Sequence, residues 1–404
     1  MNRWLVVLGA VIIQINLGAV YAWSLFNQPL MDKFGWDREA IVLTFSITIA
    51  TFALMTILAG KLQDKIGPRW VATTGGILLG LGLLLSSQAT TITQLYLFYG
   101  VIGGAGIGMT YVCPLSACVK WFPEKRGLIS GIAVAGFGLG GLIFQPIIRF
   151  FIENFGVSST FMYVGAIYLV FVVAGAQLLK NPPIKVDTKG KEGHVALEES
   201  THFSSKEMVK TYPFYLLWFM FLFGSMSGLM VISFAVDIGV EVVQLDVEKA
   251  VNAVMVIALF NAAGRIILGN ISDRFGRVNT LMFIYGITAV TLLYMSIGYM
   301  NYPLFLGTVS VIGFCFGGFL SLFPSITADY YGTKNMGSNY GLMYQAYGVS
   351  AFAGPFIVKV FPFGQAFIVA SLFCMLAMLM AKAVTAPVKI KEPTVYREEV
   401  INEK

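Results

Sequence analysis

Eight stretches of this 404-residue chain, 4–31, 40–60, 70–119, 127–148, 154–179, 211–236, 278–328 and 335–358, hold no Asp, Glu, Lys or Arg. A helix needs roughly 20 apolar residues to cross the hydrocarbon layer of a bilayer, and these stretches meet or exceed that length. Only 12% of the residues are charged and 57% are hydrophobic, against about a quarter charged in soluble domains. A water-soluble fold is therefore excluded. The two longest stretches each hold two helices, divided by "SSQATTITQ" at 86–94 and "MNYP" at 300–303. Two further apolar segments, 250–272 and 364–382, complete twelve predicted spans: 4–30, 40–60, 70–87, 94–118, 127–149, 158–179, 212–236, 250–272, 278–299, 303–325, 336–359 and 364–382. The expected class is an all-α membrane protein.

Orientation follows from the basic residues, which favour cytoplasmic loops. With both termini inside, 21 of the 27 Lys and Arg residues are cytoplasmic, five are external (Lys33, Arg38, Arg149, Lys249, Lys359) and Arg265 lies within the membrane. The net charge of +6 thus reports topology. Nucleic-acid binding would need the basic residues gathered on one soluble face, and none is expected. The first apolar run is too long for a signal-peptide core and lacks a small-residue cleavage site, so it reads as an uncleaved helix. Cys113, Cys118, Cys315 and Cys374 fall inside spans and His194 and His202 in one loop, which builds neither a disulfide framework nor a metal site. No cofactor is expected.

Residues 181–211 interrupt the hydrophobic pattern with charge, Pro, Gly and Ser, the composition of a solvated linker. They separate an amino-terminal six-helix bundle, 1–180, from a carboxy-terminal one, 212–384, followed by a cytoplasmic tail, 385–404. The halves repeat one another. "GKLQDKIG" at 60–67 recurs as "GNISDRFG" at 269–276, a shift of 209, and "PLSACVKW" at 114–121 pairs with "PSITADYY" at 324–331, a shift of 210. Parallel six-helix repeats are an architecture of secondary transporters, with substrate held near the midplane between them. The repeated loop resembles the signature between helices two and three of the major facilitator superfamily. It is carried here by Gly60, Leu62, Asp64, Lys65 and Gly67, then by Gly269, Asp273, Arg274, Gly276 and Arg277, with Pro68 and Ile271 departing from it. The resemblance implies a gate that holds one face closed until the halves rock.

A guanidinium at membrane depth costs about 2.5–3.5 kcal/mol on insertion scales and persists only with a partner or a wet cavity. Arg265 lies eight residues before Asp273, roughly 12 Å into the membrane at 1.5 Å per residue. No acidic residue lies inside a span. A bound carboxylate would supply the missing counter-ion through two parallel hydrogen bonds; the alternative is that Arg265 ties backbone carbonyls of neighbouring helices. Asn261, one turn earlier on the same face, offers an amide beside the anion. Aromatic residues at mid-depth include Tyr21, Trp23, Tyr111, Phe137, Phe316, Tyr344 and Tyr347, of which the tyrosines can orient an anion. "GGAGIG" at 103–108 and "GFGLGG" at 136–141 fall inside spans with no strand before them, so they are not nucleotide loops. Gly104 with Gly108, and Gly136 with Gly140, are spaced for close helix crossing.

Four stretches together resemble the oxalate/formate antiporter family: "GAVYAWSLF" at 18–26, "KWFPEKRGLISG" at 120–131, "FNAAGR" ending at Arg265, and "FPS" at 323–325 with "NYG" at 339–341. That resemblance implies proton-linked or exchange transport of small carboxylates, with carboxylate bound by Arg265, site tyrosines at Tyr21 and Tyr111, and aromatic site positions at Phe137, Phe316 and Tyr344. It also implies a bacterial inner membrane. Where an oxalate exchanger of the family has a second cation, this chain has Tyr347. A dianion facing one arginine would leave one charge unpaired at a cost of several kcal/mol, so a monocarboxylate such as pyruvate, lactate or formate is expected, resembling bacterial pyruvate and lactate carriers, with oxalate/formate exchange the alternative. The expected working unit is a monomer in the lipid bilayer. A non-transporting carboxylate sensor would need a soluble output module, and an enzyme would need intramembrane His, Asp or Glu; the sequence supplies neither.

Overall fold

The computed structural model describes residues 2–183 and 202–388. Within these limits ten helices are long and apolar enough to cross a membrane. One of them, Arg126–Gln177, turns a corner at Gly156, where φ is 75° and a Cβ would meet nothing within 4 Å. Backbone conformation alone, not crowding, therefore calls for glycine at this corner. An eleventh span is built from two segments, Met336–Met343 and Gln345–Val360, interrupted at Tyr344. Counting the corner and the interrupted span, twelve helices cross the membrane.

In chain order these are α1 (Arg3–Phe34), α2 (Arg38–Ile66), α3 (Pro68–Ser86), α4 (Ile92–Trp121), α5 (126–155), α6 (157–177), α7 (Tyr212–Ser233), α8 (Asn252–Phe275), α9 (Arg277–Ile297), α10 (Tyr302–Tyr331), α11 (336–360) and α12 (Phe363–Ala383). Their starts use side-chain oxygens to satisfy free amides: Asn2 accepts from the Trp4 amide and Asn301 from the Leu304 amide. Pro68 opens α3, where its missing N–H costs nothing. α1 tightens to a 3-10 helix over Ala19–Phe26, and α4 widens to a π-helix over Tyr96–Gly103.

Helix contact depends on small residues, since lipid supplies no hydrophobic drive between helices. Both predicted glycine pairs pack as expected. A Cβ on Gly104 or Gly108 would strike the α2 backbone at Thr48 and Phe52, and one on Gly136 or Gly140 would strike α1 at Val11 and Ile15. The two halves meet chiefly where α5 crosses α8 and α2 crosses α11.

Of the expected linker, residues 184–201, including His194, lie outside the described residues, as do 389–404 of the tail. The solvated reading does not hold for 202–208. Ser204 and Glu207 form a capping box on Ser205–Met208, and Met208 is fully buried. The Phe203 amide donates to the Tyr331 carbonyl at 3.0 Å, while its own carbonyl accepts from Asn335 Nδ2 and Asn339 Nδ2, each at 3.0 Å. Composition alone marks this segment as polar; hydrogen bonds to α10 and α11 hold it down.

Candidate functional site

One face of the bundle collects the loops α2–α3, α4–α5, α8–α9 and α10–α11. There Asp64 Oδ1 and Oδ2 accept from the amides of Gly337 (3.1 Å) and Ser338 (2.7 Å), at the start of α11. Asp273 does the same for Gly127 and Leu128, both at 2.9 Å, at the start of α5. Each carboxylate thus crosses between the halves to a helix N-terminus, where unpaired amides and the helix dipole favour negative charge. Gly60 and Gly337, and Gly269 and Gly127, let the backbones touch beside these contacts: a Cβ on Gly60, Gly269 or Gly127 would strike the facing glycine's carbonyl, and one on Gly337 would strike the Gln63 side chain.

The copies differ in their cations. Arg277 pairs with Asp273 at 2.6 Å and with Asp329 at 2.9 Å, and Arg126 pairs with Asp329 at 2.6 Å. Pro68 leaves the first copy without that arginine, and Lys120 stands 3.8 Å from Asp64 instead. Lys65 and Arg274 are exposed and form no ion pair among the described residues, so the structure does not bring these two into the cluster. Gly67 and Gly276 carry φ values of 90° and 89°, which allow the tight reversals that present both aspartates.

Toward the opposite face, a cavity of about 430 Å³ lies between the halves. Tyr21, Gly138 and Gln145 line it from the first half; Asn261, Phe316 and Tyr347 line it from the second. The Tyr21 and Tyr347 hydroxyls are 2.7 Å apart, bridging α1 and α11. Beneath the cavity, on the side of the aspartate contacts, Tyr111, Phe137 and Tyr344 form a buried aromatic layer with Phe52. Ring centroids are 4.7 Å apart for Tyr111–Tyr344, 5.3 Å for Tyr111–Phe137 and 5.2 Å for Phe52–Tyr111. Of the eight aromatic and amide residues singled out with Arg265, four line the cavity, three floor it, and Trp23 packs instead against Phe26, Tyr99 and Phe161.

Arg265 is 1% exposed and does not itself line the cavity. Its Nε donates to Asn261 Oδ1 at 2.8 Å, so the Asn261 oxygen orients the guanidinium and only the amide nitrogen is left to donate elsewhere. Its Nη1 donates to the Val134 carbonyl of α5, which realises the interhelical carbonyl contact weighed above. Its Nη2 is buried without a protein partner. No carboxylate pairs with Arg265 among the described residues. The cation is therefore oriented on two sides and lacks a hydrogen-bond partner on the third, where an anion's oxygen would supply one.

Sequence reasoning passed over two residues here. Gln345 Nε2 donates to the Ala53 carbonyl (2.8 Å), Thr56 Oγ1 (3.0 Å) and the Gly341 carbonyl (2.9 Å), joining α11 to α2. A glutamine in a charge-free run was the available signal. The second is Gly138, for which the glycine-rich run gave no reason to separate it from its packing neighbours.

Comparison with known proteins bears on this arrangement. The family model for the Major Facilitator Superfamily matches residues 6–355. The chain is 37% identical over 350 residues to an uncharacterized MFS-type transporter, YhjX, of Escherichia coli strain K12, covering 87% of this chain and 86% of that one. It is 30% identical over 386 residues to the oxalate:formate antiporter of Oxalobacter formigenes, covering 94% and 91%. It is 26% identical over 450 residues to apicoplast pyruvate carrier 1 of Toxoplasma gondii, covering 85% and 81%.

Proposed function

We propose that this chain, which belongs to the major facilitator superfamily, carries a small monocarboxylate such as pyruvate, lactate or formate across the bacterial inner membrane by alternating access. The observation that carries this reading is the lone intramembrane cation, oriented by Asn261 and Val134 with Nη2 left unpartnered. A carboxylate oxygen on Nη2 completes the guanidinium's hydrogen bonding. Its second oxygen then competes with the Val134 carbonyl for Nη1 and makes the paired geometry typical of arginine and carboxylate. The relatives named for oxalate, formate and pyruvate support a carboxylate as cargo.

Charge arithmetic supports a monoanion. Away from the ends of the spans, Arg265 is the only ionised side chain, and a second carboxylate would be desolvated with no cation opposite, at several kcal/mol. Replacing Tyr347 with lysine supplies that cation next to Tyr21. The expected result is at least a tenfold rise in oxalate uptake relative to pyruvate; an unchanged ratio in a folded variant would count against the single-cation account.

The face gathering the aspartate contacts carries most of the basic residues and is taken as cytoplasmic. On that assignment the cavity faces outward and the two aspartates hold the inner gate shut. With no Asp, Glu or His away from the ends of the spans, protons move on the substrate carboxyl or do not move at all. The test is uptake of labelled pyruvate, lactate, formate and oxalate into proteoliposomes, with and without a pH gradient and internal counter-substrate. Monocarboxylate uptake is expected; rapid uptake of oxalate alone would overturn the substrate assignment.

A further inference from the structure

We infer that Gln63 is a built-in opener of the inner gate: its amide is buried without a protein partner while the face is closed and regains water when the face opens. The inference takes from the proposed function only that this face opens during transport, and it does not depend on the cargo. Gln63 immediately precedes Asp64 in the first copy of the repeated loop. It is 1% exposed, and both Nε2 and Oε1 are buried with no hydrogen-bond partner among the described residues. Its amide lies against the start of α11, where a Cβ on Gly337 would stand 2.0 Å from Nε2 and 2.7 Å from Cδ. The Gly337 and Ser338 amides already donate to Asp64, so they do not serve Gln63.

The second copy has what the first lacks. A shift of 209 carries Gln63 onto Ser272, which lies against Gly127 as Gln63 lies against Gly337: a Cβ on Gly127 would stand 2.6 Å from Ser272 Oγ. There, however, Oγ donates to the Gly269 carbonyl at 2.7 Å and accepts from Arg277 Nη1 at 2.6 Å. The same shift carries Arg277 onto Pro68, which has no donor to offer. At equivalent places the two copies thus bury one satisfied polar side chain and one unsatisfied one. A buried polar group without a partner bears its full desolvation cost, and the same group in water does not. That difference raises the closed state relative to the open one, through the α2–α11 seam alone. Gln63 therefore works against the hold of Asp64 beside it, and keeps the closed face from becoming a trap.

The test replaces the amide by an apolar side chain of similar length, Gln63→Met, with Gln63→Leu as a second variant and thermal melting to establish folding. Backbone hydrogen exchange, followed by mass spectrometry on peptides spanning the start of α11, reports opening directly. The Gly337 and Ser338 amides lie in the first helical turn, where no intrahelical acceptor is available, and Asp64 is their partner. They are expected to exchange at least about tenfold more slowly in a folded variant, the effect of relieving one orphaned polar group. In proteoliposomes kcat for uptake is expected to fall by at least about threefold, because the face must open once in every cycle. Equal exchange in wild type and variant would overturn the inference, as would unchanged kcat beside slowed exchange. Faster exchange, or failure of both variants to fold, would mean that the amide holds the closed state together, and would overturn it too. Amide exchange needs no substrate: a wild type that takes up no monocarboxylate, beside a variant that still shows the tenfold slowing, would sink the substrate assignment and leave the role of Gln63 standing.

Discussion

Arg265→Ala is expected to lower carboxylate uptake, as kcat/KM, by at least about a hundredfold. Net contributions of roughly 1.5–3 kcal/mol per hydrogen bond to a charged group, taken twice for a paired carboxylate, span about a hundred- to ten-thousandfold at 1.36 kcal/mol per decade. Arg265→Lys keeps the charge but loses the planar fork, so its expected loss is intermediate. Alanine also deprives Asn261 Oδ1 and the Val134 carbonyl of their donor, which costs about 1–3 kcal/mol of stability if neither finds another partner. Thermal melting in the same detergent separates that loss from the loss of transport. Uptake by a folded Arg265→Ala within about threefold of wild type would remove Arg265 from the site.

The second large effect concerns the inner gate. Each of Asp64 and Asp273 accepts two backbone amides from a helix start in the other half. Asparagine keeps one acceptor oxygen but loses the charge that the helix dipole favours and half of the bidentate contact. A loss of about 1–2 kcal/mol at each site is expected from capping and dipole magnitudes. The sites share no partner, so their losses should nearly add. The double variant Asp64→Asn, Asp273→Asn is then expected to shift the closed-to-open ratio of this face by roughly thirty- to several hundredfold. Spin labels on cysteines placed at the exposed positions of Lys65 and Lys334 report it: the distance distribution should move from one short population to a longer one. A distribution identical to that of the unsubstituted aspartates would mean the carboxylates cap helices without holding the gate. Arg277 adds to the second site and not the first, so Asp273→Asn alone should shift the distribution further than Asp64→Asn alone.

The number of spans, the two-half repeat and the presence of a charge, Arg265, at membrane depth were all legible in the linear chain. Each depends on a quantity that adds up residue by residue: apolar length against the thickness of the hydrocarbon, recurrence of a motif, and the cost of one charge at depth. Both aspartates of the repeated loop could be marked for the same reason, although their acceptor role at α5 and α11 could not, because the amides they bind are distant in the chain: those of Gly127 and Leu128 lie 146 and 145 residues before Asp273, and those of Gly337 and Ser338 lie 273 and 274 residues after Asp64.

Rotation of each helix about its axis and the depth at which helices cross were not written in any local pattern. A span that is apolar on every side has no amphipathic stripe to show which face turns inward. Tyr21 and Tyr347 therefore line the cavity while Tyr111 and Tyr344 lie beneath it, though all four read alike as mid-depth tyrosines. For the same reason Gly138 could not be told from Gly136 and Gly140: two residues of helix turn it by about 200°, from the α1 contact to the guanidinium. The charge that made Arg265 conspicuous is a property of the residue; that it stands behind the cavity wall, held by Asn261 and Val134 with Nη2 unpartnered, is a property of three helices packed together.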